Sequence, residues 1–478
     1  LALLFVSTFL GLAGGTEARA QTLTAQVKII SVSPARLRID LELQEATNVL
    51  SFRNTYAGIL GLGERIDGVS ASLESQNIPI RKLASGEYQG QTKFTRVSYE
   101  VDVTVPAKPS QMSHVSWLNK DHGVLMLADL LPRSEKDHKA TTTTVRLGVP
   151  SGWTVASNVE GRAGETSTAD PDSALFVVGP LIQQRTRRLG ATEVSVVTSG
   201  KWPFSSDDAL KIAEKIVKES SAITGQGLKG NPVVMLLPFA PESGPERWTA
   251  ETRGNAVLLL LGKQASREKV LAKLGIVLTH EIFHLWVPNS LALTGNYDWF
   301  FEGFTLYEAL RTALRLKLIS FDTFLETVAR VYDSYLSSDD ANRLSLIEAS
   351  ERRWTESSSL VYDKGMLAAF IYDLTMRRET DCRMSLDDIY RQLFREHGAG
   401  QGSANKTIIK ILNQPPNMDS FGREYVEGKG RIDLQSVLSL YGIQVHVGGT
   451  RSQATKLQVA KQLSSAQTRT LRCIGYRN

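Results

Sequence analysis

Two cysteines, Cys382 and Cys473, are all that 478 residues contain. That scarcity excludes a cysteine-rich metal site, and neither cysteine stands at ligand spacing from a histidine. Beyond the N-terminal segment there is no apolar run of the ~20 residues that a membrane span needs. There is no internal repeat and no low-complexity tract. Blocks of one charge are also missing. The 55 basic and 50 acidic residues give a net charge of only +5 and are interspersed, so no nucleic-acid partner is expected. Histidine is scarce as well, with seven residues. His114, His122, His138, His397 and His446 are unpaired and read as structural or surface residues. His280 and His284 are different.

What is present is ordinary globular composition, 42% hydrophobic and 22% charged, in a chain long enough for two or three cores. Residues 1–15 are apolar, and Ala18-x-Ala20 fits signal-peptidase cleavage. The segment lacks Met and a charged start, so 1–20 reads as a clipped signal peptide. The run is too short for an anchor. An exported protein, periplasmic or secreted, is expected, with no stable membrane insertion after cleavage. In such a compartment Cys382 and Cys473 can pair and tie the tail to the helical region.

Apolar alternation through 27–32, 37–43 and 97–105 predicts an antiparallel β domain over 21–198. Ser206 can cap a helix over 207–214. Strands are expected at 231–238 and 256–261. Amphipathic helices are expected at 321–336, 357–377 and 385–396. The resulting divisions are 21–198, 199–320 and 321–447, with a polar tail over 448–478.

His280-Glu281-Ile282-Phe283-His284 reads H-E-x-x-H, in a segment with helical periodicity that ends before Pro288. Residues at i and i+4 share a helix face, so two imidazoles can point at one metal ion, with Glu281 beside them as general base. A catalytic zinc needs a third protein ligand and an open position. Glu302, 18 positions after His284 on a second predicted helix, can supply that ligand. Tyr362 opens a further apolar helix and can stabilise an oxyanion. Trp286 and Trp299 read as packing or cleft-lining residues.

H-E-I-F-H-L-W, W-F-F-E-G-F-T-L-Y and V-Y-D-K-G-M-L-A-A-F-I-Y-D-L occur in that order over 280–374. Together they resemble the glycyl aminopeptidase family of gluzincin metallopeptidases, which is related to aminopeptidase N and leukotriene hydrolase. The resemblance implies one Zn²⁺ held by His280, His284 and Glu302, Glu281 as base, and Tyr362 at the transition state. It implies an α+β multidomain fold. An N-terminal antiparallel β domain would precede a thermolysin-like α/β catalytic domain and a mainly helical C-terminal part. The His284–Glu302 spacing is shorter than in that family and closer to aminopeptidase N. The family's G-G-L-E-H block survives only as Thr249-Ala250-Glu251-Thr252-Arg253, in which Glu251 alone could bind a substrate's free amine. Members often carry a C-terminal PDZ domain, for which no room is expected here.

In a thermolysin-like fold the strand before the zinc helix is an edge that pairs with substrate. Gly254, Asn255 and Ala256 are therefore candidate substrate contacts, and the alternative is a plain buried strand. The expected activity is hydrolysis of a peptide or protein substrate, as an aminopeptidase. The alternatives are a thermolysin-like endopeptidase and a non-catalytic binding protein on a peptidase fold.

Overall fold

The computed structural model describes residues 21–133, 141–162, 164–240, 243–263, 266–291, 293–354, 358–398, 402–448 and 454–477. The segment read as a signal peptide lies outside them. The fold is α+β and multidomain, with β-sheets leading into a helical region.

Three sheets and a helical body stack in layers. A nine-stranded sheet is built around Gln21–Val32, Ala35–Ser51 and Glu87–Asp102, which pair antiparallel. Their alternation buries Val27, Leu37, Ile39, Val97 and Tyr99 on one face. A four-stranded sheet forms the next layer and includes Gly123–Met126 and Leu175–Gly179. Leu125, Phe176 and Val178 point to the nine-stranded sheet. Val124, Met126, Leu175 and Val177 point the other way, to a five-stranded sheet. With both faces covered, strand Leu175–Gly179 is continuously buried, and a buried strand needs no polar face.

The five-stranded sheet runs in the order Ile182–Leu189, Thr192–Ser199, Val233–Pro238, Ala256–Leu261, Trp248–Arg253. One expectation is corrected here, and one open alternative is decided. The hairpin 182–199 belongs to this sheet, because Thr192–Ser199 pairs parallel with Val233–Pro238, so the sheets divide near 180 and not at 198. Strand Ala256–Leu261 is internal and wholly buried, and the edge is Trp248–Arg253.

Val234, Leu236, Val257 and Leu259 on the sheet's far face pack on the helices. The first of these, Ser206–Thr224, is capped by Ser205 in a reciprocal arrangement with Asp208. The expected cap, Ser206, instead bonds the Thr198 hydroxyl. Helices Phe321–Ser337, Ser358–Glu379 and Leu386–His397 follow the predicted spans closely.

The tail is not the polar extension expected from its composition. Lys456–Val459 pairs with Ile443–His446, and the helix Ser465–Cys473 buries Leu471. A disulfide between Cys382 and Cys473 fastens that helix to the end of helix Ser358–Glu379. Among the described residues, no helix is long and apolar enough to cross a membrane.

Candidate active site

The helix Arg267–Phe283 starts at Ser266, whose hydroxyl accepts from the Lys269 amide, and ends at His284. Its last turn places His280 and His284 together, with their Nε2 atoms 3.0 Å apart. The Nδ1–H of His284 donates to the Val287 carbonyl at 2.9 Å, which leaves Nε2 as the free lone pair.

Glu302 comes from a π-helical turn, Trp299–Phe304, that runs into helix Thr305–Arg315. Its Oε2 lies 3.2 Å from His280 Nε2 and 3.5 Å from His284 Nε2. All three side chains are buried, and their donor atoms lie within 4.8 Å of one another.

This set fits zinc. Bonds of 2.0–2.1 Å in a tetrahedron give ligand–ligand edges of about 3.3 Å, close to the three separations found. The electrostatics agree. Burial alone would pull the His284 imidazole down, yet the Glu302 carboxylate outweighs it and carries the ring up to about 9. Burial would likewise raise Glu302, but the charge on His284 and the bonds from both histidines hold it well below the carboxylate range. The pocket therefore attracts positive charge, and a divalent cation competes for it with protons.

Two groups flank this cluster. Thr252 on the edge strand places its hydroxyl 2.9 Å from Glu281 Oε2 and 2.7 Å from the Glu281 carbonyl. Tyr362 stands at the start of helix Ser358–Glu379, its ring 6.5 Å from that of His280. Burial, reinforced by the Glu302 charge, pushes the Tyr362 phenol well above its usual range, so it remains a hydrogen donor.

Arg353 had no motif to mark it. Its Nη2 donates to Glu302 Oε1 and to the Tyr362 hydroxyl oxygen, both at 2.7 Å, and Nη1 pairs with Asp298 at 3.1 Å.

Two glycines set the spacing of these elements. A Cβ on Gly303 would come within 2.5 Å of Gly365 Cα, and one on Gly365 within 2.8 Å of the Trp299 carbonyl. Only glycine allows the glutamate turn and the tyrosine helix to touch there.

Glu251 has its own set of partners. Successive side chains of a strand face opposite ways. Thr252 faces Glu281, so Glu251 faces the N-terminal β region. There it accepts from Arg253 at 2.8 and 3.1 Å, from His114 Nδ1 at 2.5 Å and from the Tyr56 hydroxyl. Tyr56 itself lies under the guanidinium groups of Arg53 and Arg253. His114, read as a structural or surface residue, is thus part of a half-buried polar cluster.

Ala256 is fully buried, and the Asn255 amide bonds the Asn231 carbonyl and the Asn158 side chain. Of the three expected contact residues, Gly254 and Asn255 line a cavity of about 660 Å³ beside Thr252 and Arg253. Trp286 and Trp299 are fully buried packing residues.

No protein-family model and no curated protein matches the sequence. Solved structures do match. An aminopeptidase N family protein from Idiomarina loihiensis superposes with a TM-score of 0.76 at 18% identity, covering 89% of this chain and 79% of that one. The M1 zinc metallopeptidase of Deinococcus radiodurans gives 0.54 at 15% identity over 87% of this chain and 95% of that one. A variant of the Deinococcus enzyme, solved with a Tyr-Ser-Ala substrate, gives 0.54 at 14% identity over the same shares. The chain therefore has the fold of M1 zinc metallopeptidases. Within that fold it carries a candidate zinc site of His280, His284 and Glu302.

Proposed function

We propose that this chain is a zinc-dependent peptidase. The observation that carries the reading is the convergence of His280, His284 and Glu302, with Glu281 one residue from the first ligand. A zinc ion held by those three residues would polarise the scissile carbonyl and acidify a water.

The chain's own groups supply the rest. Glu281 takes the proton of the attacking water on its carboxylate and returns it to the leaving amine. Thr252 holds that carboxylate in place. Tyr362 donates its phenolic hydrogen to the oxyanion that develops at the scissile carbonyl. Arg353 donates to the phenol oxygen and the phenol bonds Glu302, which together hold Tyr362 beside the metal-ligand set.

The motif resemblance to glycyl aminopeptidases adds to this reading, as does the peptide held by the Deinococcus relative. Export to an oxidising compartment belongs to the same proposal, supported by the Cys382–Cys473 disulfide and the apolar start of the sequence.

The test is cleavage of a peptide library with and without a chelator. Chelator-sensitive cleavage, restored by zinc, is expected. A purified protein that binds no zinc and cleaves nothing would leave a binding protein on a peptidase fold.

A further inference from the structure

A second cavity lies away from the zinc ligands. Its volume is about 770 Å³, within the range that holds a whole small molecule. It opens between the ends of helices Thr305–Arg315 and Ser358–Glu379 and the last residues of the tail. Helix Thr305–Arg315 follows the Glu302 turn, so Arg315 stands roughly 20 Å along it from Glu302.

Cations dominate the lining. Arg311, Arg315, Lys317, Arg377, Arg472 and Arg477 line it, against Glu219 and Asp387. Two further carboxylates, Glu308 and Asp373, also engage Arg311. Among the described residues the positive side chains thus outnumber the negative ones by about two. A phosphate monoester carries about −1.5 to −2 at neutral pH and balances that surplus.

Arg311 supplies the sharper observation. Its side chain is 1% exposed. Its Nη2 donates to Glu308 at 2.7 and 2.8 Å and also reaches Asp387. Its Nη1 has no hydrogen-bond partner among the described residues, and the Asp373 carboxylate lies 3.7 Å away. A buried guanidinium donor with nothing to donate to is unfavourable, and an oxyanion in the cavity would complete it.

Two helices also begin at the cavity. Ser320 and Phe321 open helix Phe321–Ser337, and Ser385 precedes helix Leu386–His397. The amide end of each helix carries partial positive charge, which favours an anion there.

We propose that this cavity binds the phosphate group of a small soluble molecule. Arg311 meets the oxyanion from inside, while Lys317 and Arg472 hold it from the exposed rim. Guanidinium groups match phosphate oxygens two at a time, which favours phosphate over a spherical anion. The site goes beyond the peptidase reading and does not depend on it.

Isothermal titration of the zinc-loaded protein at fixed ionic strength tests this, with glycerol phosphate as the probe. The parent should bind it with a dissociation constant below about 1 mM. The double variant Lys317→Gln, Arg472→Gln should bind at least about tenfold more weakly. Both side chains are exposed, so its melt should match the parent's. Lys28→Gln, on an exposed position of the nine-stranded sheet, should bind as the parent does. A parent that binds more weakly than about 1 mM would overturn the proposal. Equal affinities in parent and double variant would also overturn it, since phosphate would then sit elsewhere, as at the zinc ion.

Discussion

Gly303 and Gly365 are in direct backbone contact, and this contact fixes Glu302 and Tyr362 relative to each other. A Cβ on Gly365 would meet the Trp299 carbonyl at 2.8 Å and Gly303 Cα at 2.9 Å. Alanine in a helix gains about 1 kcal/mol over glycine, while overpacking against atoms that cannot move costs about 1–3 kcal/mol. Here the obstacles are backbone, so the clash wins. Gly365→Ala should lower Tm and weaken zinc retention together, as read by thermal melts and metal analysis. A variant with raised Tm and full zinc content would show that the contact is not limiting.

The bond between Arg353 and Tyr362 makes a kinetic prediction. Tyr362→Phe removes the oxyanion donor and should lower kcat by about 10²–10³ with a smaller change in KM. Arg353→Gln should lower kcat by less, because it disturbs only the orientation of the phenol and of Glu302. Combined, the two losses should fall short of additive, since both act through one hydroxyl. Independent, additive effects in a double-mutant cycle would contradict this coupling.

The residues with chemistry in a local pattern were legible in the sequence. His280, Glu281 and His284 share one helical turn, and Glu302 and Tyr362 sit in recognisable blocks. The helices 321–337, 358–379 and 386–397 were legible too, from their 3.6-residue period. Arg353, Thr252 and the two glycines were not, because their partners lie far along the chain and a single residue has no periodicity. A strand's alternation likewise says that one face is buried but not against which sheet, so nothing in residues 182–198 showed that they join the five-stranded sheet. The partners of Glu251, namely Arg253, His114 and Tyr56, were equally illegible, because two of them lie far along the chain.

Asp363, next to Tyr362, should make stability depend on pH. Burial pushes its carboxyl up to about 6, against an ordinary value near 4. Between those values the folded protein binds more protons than the unfolded one, so this contribution to stability is present in acid and lost as pH rises through about 6. At pH 7 the loss is about 2–3 kcal/mol. Asp363→Asn keeps an acceptor for the Ser334 hydroxyl, which donates to Asp363 at 2.6 Å. The variant should melt higher than the parent at pH 7 and match it near pH 4. An equal difference at both pH values would remove the charge from the explanation.

The disulfide closes a loop between residues 91 positions apart. On the chain-entropy account it contributes up to about 4.6 kcal/mol. Cys473→Ser should therefore lower Tm by several degrees and expose helix Ser465–Cys473 to proteolysis, with zinc content unchanged. An unaltered melt would show that the tail is held by Leu471 and Ile474 alone.

The central claim is that His280, His284 and Glu302 hold the metal while Glu281 moves the proton. Peptide hydrolysis by parent and Glu281→Gln protein, measured on samples of known zinc content, tests it most directly. The account predicts one zinc per chain in both and a loss of kcat of about 10²–10⁴ in the variant. A zinc-loaded Glu281→Gln protein with near-parental turnover would contradict it.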